Sequence, residues 1–304
     1  MKVFGESRFA AINSGRHKAC NALKTGRNFM KKIVAAIVVF CLFASFSPKE
    51  ITWVAIGDSI TYLNDHPKET GNRVQKGYLS GVVEKLPNLH YINQGHNGWT
   101  SVKIADSIEK IGLVKGDVYT VFLGTNDWWS GQPLGTLQDY QNPTGNKTVF
   151  GSFRIIVNKI RSLNQNAKII LITPMQRGDF VSINNHSNSA YGSYKAKNGV
   201  WLEQVANAVD SIAKLEQFGV VDLYHKKQLS LKHLVNFKFL KDSTTGTNKE
   251  FKYPAYIDMP FHAGKDEYPY PLKAINMTYD GLHPSDKGNK IIASMLVSIM
   301  KHYK

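Results

Sequence analysis

Cysteine is almost missing from this chain. Of 304 residues only Cys20 and Cys41 are cysteine, and residues 48–304 contain none. That stretch can form no internal disulfide, and both thiol catalysis and a Cys-ligated zinc are excluded there. Metal-ligand spacing is missing as well. His90, His96, His225, His233 and His262 show no His-x-x-x-His pattern, so no metal and no cofactor is implied. There is no low-complexity tract and no internal repeat, which excludes solenoid and array architectures. Basic residues do not cluster with aromatics in the way that marks a nucleic-acid surface, so no nucleic-acid partner is expected.

What remains is an ordinary globular composition. Hydrophobic residues make up 42% and charged residues 20%, enough for a core of normal size. The net charge is +15. Residues 1–47 hold eight Lys/Arg and one Glu, whereas residues 48–304 hold 30 Lys/Arg and 22 Asp/Glu. About half of the basic excess therefore sits on the N-terminal segment, and the rest is dispersed as solvated surface charge.

Residues 1–47 read as a leader. Lys31-Lys32 precedes the apolar run 33–46, the n-region and h-region pattern of a signal peptide. The run is short for a membrane helix, which needs about 20 apolar residues. Small residues Ala44, Ser45 and Ser47 lie where cleavage is expected, and Phe40 before Cys41 argues against a lipobox. The expected location is secreted or periplasmic, with no stable membrane association after cleavage. A retained N-terminal membrane anchor is the alternative.

From residue 48 to 304 the chain alternates short apolar runs with helical spacing. Thr52–Ile56, Leu89–Asn93, Val118–Leu123, Lys168–Thr173 and Gly219–Asp222 read as buried strands. Tyr78–Leu86, Val102–Ile111, Phe153–Leu163, Val200–Phe218 and Lys287–His302 read as helices. This alternation predicts a single α/β domain, a flavodoxin-like three-layer α/β/α fold around a five-stranded parallel sheet. Two segments break the pattern, 174–197 and 224–277. Loops of such length are usually functional or disordered, and both are read as rim insertions that shape a substrate groove.

Four short blocks fall at telling places. Gly57-Asp58-Ser59-Ile60 follows the first strand, and alone it reads more often as a loop or helix cap than as a site. Gly95-His96-Asn97-Gly98-Trp99 follows the second strand, where glycines let a backbone approach a ligand; a plain strand-to-helix turn explains it as well. Gly124-Thr125-Asn126-Asp127 follows the third, and an Asn side chain can donate through its amide, although a plain turn explains the block equally well. Asp280-Gly281-Leu282-His283-Pro284 precedes the last helix. There a carboxylate can accept from imidazole Nδ1 and fix its tautomer, although a capped surface turn has the same composition.

Taken in order, these blocks resemble the SGNH (GDSL-type) esterase and lipase superfamily, over residues 52–303. The Gly-x-Ser-x-Gly elbow of the competing α/β-hydrolases is absent around Ser59. Ile60 stands where the family's name has Leu. The resemblance implies a serine esterase with Ser59 as nucleophile, His283 as general base and then acid, and Asp280 as its orienter. It implies an oxyanion hole from the backbone N–H groups of Ser59 and Gly98 and the side-chain amide of Asn126. Asp58 and Asp127 are expected to orient turns.

The acyl group is less legible. Tyr62, Trp99, Trp128 and Trp129 flank the blocks, and aromatic rims suit the apolar face of a sugar; core packing is the competing explanation for at least one tryptophan. The long insertions are polar and aromatic, unlike a lipase's aliphatic groove. The expectation is therefore O-acetyl removal from a small-molecule or polysaccharide substrate. A lysophospholipase or thioesterase acting on acyl chains is the alternative, and a non-catalytic carbohydrate-binding protein on the same fold is a third.

Overall fold

A run of seven residues, Ile51–Gly57, forms β1, an interior strand of the sheet. In the computed structural model, which describes residues 30–31, 49–142 and 147–303, β1 pairs in parallel on both sides. Its partners are β2 (Leu89–Gly95), with Ile51 opposite Leu89, and β3 (Val118–Phe122), with Trp53 opposite Val118. The strand β4 (Lys168–Ile172) follows β3, and β7 (Gly219–Val221) closes the sheet. The order β2-β1-β3-β4-β7 is that of a flavodoxin-like sheet, as the alternation of elements implies. The leader's apolar run and both cysteines lie outside the described residues. Among the described residues no helix is long and apolar enough to cross a membrane.

Side chains alternate across the sheet with the period of two that a strand imposes. Val54, Ile56, Tyr119, Val121, Ile169 and Leu171 enter one buried cluster, and Trp53, Ala55, Val118, Phe122, Ile170 and Ile172 enter another. Each face is then covered by helices. Onto the first pack α3 (Ser101–Asp106), α6 (Val149–Leu163) and α7 (Leu202–Glu216). Onto the second pack α2 (Tyr78–Val83) and α9 (Asp286–Met300). Three short helices lie at the ends of these elements: α1 (Ser59–Tyr62), α4 (Thr125–Trp129) and α5 (Leu137–Gln141). A fourth, α8 (Leu231–Leu234), lies in the second insertion.

The long helices follow from spacing and caps. In α6 the buried positions Val149, Phe153, Ile156, Val157 and Ile160 recur every three or four residues. Each such side chain stabilises the fold by about 1.5–3 kcal/mol on leaving water. The helix starts at Val149, four residues before the expected Phe153, because the Thr148 hydroxyl caps it by accepting from Gly151 N. In the other direction, α2 stops at Val83 rather than Leu86, since Pro87 disfavours helical backbone in the residue before it.

The two insertions are more ordered than loops. The first carries the hairpin β5 (Phe180–Val181) and β6 (Ser189–Ala190), and the second carries β8 (Lys238–Lys241) and β9 (Asn248–Phe251). They share a third apolar cluster, formed by Val181, Val235, Leu240, Tyr256 and Tyr270. These residues follow neither the helical nor the strand period, so no pattern in the sequence marks them as core.

Candidate active site

β1, β2, β3 and β4 all end at the same edge of the sheet, and each is followed by a polar segment. The chain builds outward from β1 in both directions, so the carboxyl end of β1 is the topological switch point of the sheet. Ser59 sits there as the first residue of α1. Asp58 caps that helix, its side chain accepting from Ile60 N at 2.9 Å, and Ile60 is buried beneath the turn.

His283 reaches this serine from the far end of the chain. Its Nε2 lies 2.9 Å from Ser59 Oγ, and its Nδ1 lies 2.7 Å from Asp280 Oδ2. The other carboxylate oxygen of Asp280 accepts from the backbone N–H groups of Leu282 at 3.0 Å and His283 at 2.8 Å. Asp280 is therefore an acceptor on both oxygens. Nδ1 of the imidazole must donate to it, which leaves Nε2 free to accept the Ser59 proton. Phe180 meets the imidazole edge-on with ring centroids 5.5 Å apart, and Tyr279 stacks on it at 5.8 Å. The turn depends on Gly281. Its φ is +88°, and a Cβ there would lie 2.0 Å from the Asp179 carbonyl oxygen.

The second and third blocks are fastened to each other. The carboxylate of Asp127 accepts from Ser101 N at 2.9 Å and from Ser101 Oγ at 2.6 Å. The amide of Asn126 donates to the Trp99 carbonyl at 3.1 Å, which leaves one further N–H. Gly98, at φ +71°, directly precedes Trp99, the first of these anchors in the chain, with open space where a Cβ would be. The backbone N–H groups of Ser59 and Gly98 have no acceptor among the described residues. Ser59, Gly98, Asn126 and His283 line one cavity of about 460 Å³, within the size range of small-molecule sites.

Burial sets the electrostatics. It pushes the Asp58 carboxyl up to about 6, against the opposing hydrogen bond from Ile60 and the attraction of His283. It also raises Asp127, against its bonds to Ser101. Both groups face inward, in keeping with turn-holding positions.

The four aromatic residues expected at the rim separate. Trp129 lines the cavity. Trp128 is 1% exposed, packs in the core and donates from its indole to the Val200 carbonyl at 3.0 Å, so it is not available to a substrate. Trp99 stacks on His96 at 4.4 Å under Lys103, and Tyr62 stacks on His66 and donates to Glu69; neither lines the cavity. Their proximity in sequence to the blocks does not bring their rings to the cleft, because each turns toward its own helix or loop.

Arg177 belongs to none of the four sequence blocks. It lines the same cavity and is 2% exposed, with its guanidinium 5.6 Å from the Trp128 ring centre and 5.3 Å from that of Trp129. Burial lowers its pKa to about 10, against the attraction of Asp280 and Asp179. The available signal was its place: Pro174–Asp179 follows β4 at the edge where the other three blocks follow their strands. Among the described residues no group of three or more His, Cys, Asp or Glu is placed to hold a metal ion.

Comparison with known proteins agrees with this architecture. Residues 55–291 match the model of the GDSL-like Lipase/Acylhydrolase family. A crystal structure described as a possible lipase from Chitinophaga pinensis is 62% identical, with a TM-score of 0.82, over 83% of this chain and 98% of that one. A protein from Lactobacillus plantarum is 17% identical with a TM-score of 0.57, over 85% of this chain and 100% of that one, and shows the fold alone. No curated protein matches the chain.

Proposed function

The chain belongs to the GDSL-like lipase/acylhydrolase family and is an ester-bond hydrolase, and on that premise we propose that Ser59, His283 and Asp280 carry out the hydrolysis on O-acetylated carbohydrate. The observation that carries the proposal is the unbroken chain of short contacts from Ser59 Oγ through the imidazole to Asp280.

A serine hydroxyl is a weak nucleophile until a base removes its proton. Here Nε2 takes that proton as Oγ attacks the ester carbonyl, and Asp280 stabilises the imidazolium that forms. The negative oxygen of the tetrahedral intermediate is received by Ser59 N–H, Gly98 N–H and the remaining N–H of Asn126. All three border one cavity, and such donors are already oriented when the charge develops. The imidazolium then protonates the leaving alcohol. Water attacks the acyl-enzyme by the same route and releases the acid.

The cavity wall supports a sugar as the alcohol. Asn97, Ser130, Ser182, Asn184 and Asn188 line the cleft together with Trp129. Such a rim suits a polar ring more than a long acyl chain. The Lys31-Lys32 pair and the apolar run after it support export as a secreted or periplasmic enzyme that meets a polysaccharide or small ester.

Two measurements test the proposal. Ser59→Ala should lower ester turnover by several orders of magnitude, as removal of the nucleophile does in serine hydrolases. Acetyl esters should be preferred in a series from acetyl to long-chain acyl. Preference for chains of about eight or more carbons would instead favour a lipid ester, and unchanged turnover in Ser59→Ala would remove the mechanism.

A further inference from the structure

A buried arginine normally ties down carbonyls or carboxylates. Arg177 does not do so with one whole edge of its guanidinium: Nε and Nη2 are both shielded from solvent and have no hydrogen-bond partner. These two nitrogens form the side-on fork that matches a carboxylate in two parallel bonds. Two carboxylates lie near enough to attract the cation, and both are committed elsewhere. Asp280 holds His283 and the backbone of Leu282 and His283. Asp179 accepts from Gly192 N at 2.7 Å, from Lys238 Nζ at 2.7 Å and from the Tyr194 hydroxyl.

The cost of this arrangement points to a ligand. A buried donor without an acceptor is destabilising, and more so when it is charged. The walls around the guanidinium are the indoles of Trp128 and Trp129, which offer no acceptor. Arg177 itself lines the cleft shared with Ser59, so an acceptor that enters there comes up against this residue.

We propose that Arg177 receives a carboxylate of the substrate, so that the ester cleaved at Ser59 is borne by an acidic molecule such as an O-acetylated uronic acid. This rests on the reading of Ser59 as nucleophile and adds to it the charge of the substrate. Trp129 lies against the guanidinium, its ring centre 5.3 Å away, and at the same time lines the cleft, so one residue links Arg177 to the cleft wall.

The experiment compares acetate release from O-acetylated methyl glucuronoside and O-acetylated methyl glucoside, which differ only in carboxylate against hydroxymethyl. The wild-type kcat/KM should favour the acid by about ten- to hundred-fold, the range of a charge-assisted fork. Arg177→Gln should bring the ratio close to one, and Arg177→Lys should retain part of it, since it keeps the charge and loses the fork. A wild-type ratio of one or below, or a ratio kept in Arg177→Gln, overturns the proposal. A second measurement needs neither turnover nor an Arg177 variant. Ser59→Ala protein should bind methyl glucuronoside more tightly than methyl glucoside by calorimetry, and equal affinities overturn the proposal. Ser59-dependent hydrolysis without acid preference removes the Arg177 subsite alone. Hydrolysis that survives Ser59→Ala removes the nucleophile reading and this inference with it.

Discussion

Replacing Asp280 by Asn tests the proposed triad through one proton. The substitution is isosteric, and three donors meet the native side chain: Leu282 N and His283 N on Oδ1, and His283 Nδ1 on Oδ2. An asparagine must choose an orientation. With its oxygen toward the two backbone N–H groups it keeps two bonds and turns its NH₂ toward Nδ1. Reversed, it keeps one bond and sets its NH₂ against two donors, each left unsatisfied at about 1–3 kcal/mol. The first orientation wins. Nδ1 must then accept, the ring proton moves to Nε2, and Nε2 can no longer take the proton of Ser59 Oγ. The fold is left intact while the base is held in the wrong tautomer. The same exchange in a model serine protease lowers kcat by about 10⁴, or roughly 5.5 kcal/mol at 1.36 kcal/mol per tenfold. The assay is kcat for an aryl acetate near pH 7, with the thermal melt as the control for folding. A kcat within about tenfold of wild type, in a protein that melts normally, would refute the assignment of His283 as base and Asp280 as its orienter.

Two further expectations follow from the same geometry. Asn126→Ala removes one proposed oxyanion donor and should lower kcat by about 10²–10³ with a smaller change in KM; an effect confined to KM would show that Asn126 binds substrate without serving the intermediate. Asp58 has a folded-state pKa of about 6 against 3.8 for the free group, so the folded state binds the proton more tightly between these values. Its contribution to stability therefore falls as pH rises through that window. Asp58→Asn keeps an acceptor for Ile60 N and has no charge to bury. It should be more stable than wild type by about 3 kcal/mol above pH 6, with the gap closing toward pH 4; thermal melts at pH 4 and 7.5 that show a constant gap would contradict this.

Much of the fold was legible because it rests on local, repeating chemistry. The five parallel strands are short apolar runs that end in glycine or polar residues, and their bounds in the structure differ from the expected ones by a residue or two. Helix ends were less legible, since they depend on single contacts such as the Thr148 cap on α6. The insertions were least legible. Tyr256 and Tyr270 are buried by residues distant in sequence, and no period announces that.

For the candidate site, the chain by itself determined which residue types stand in which order. A Gly-Asp-Ser turn, a Gly, an Asn-Asp and an Asp-x-x-His each follow a strand or precede the last helix, and local turn chemistry holds them there. Tertiary structure decided which of them meet. Ser59 and His283 are 224 residues apart and come within 2.9 Å because α9, packed on the sheet, starts just after His283 at the edge where β1 ends. It also decided what the neighbours do. Trp128 and Trp129 are adjacent on one short helix, where successive side chains point about 100° apart, so one is sealed in the core and the other faces the cleft. Arg177 is the sharpest case: its sequence neighbourhood places it in one more segment after a strand, and only the packing of two indoles around it leaves a buried cation with two unpartnered nitrogens in the wall of the cleft that Ser59 lines.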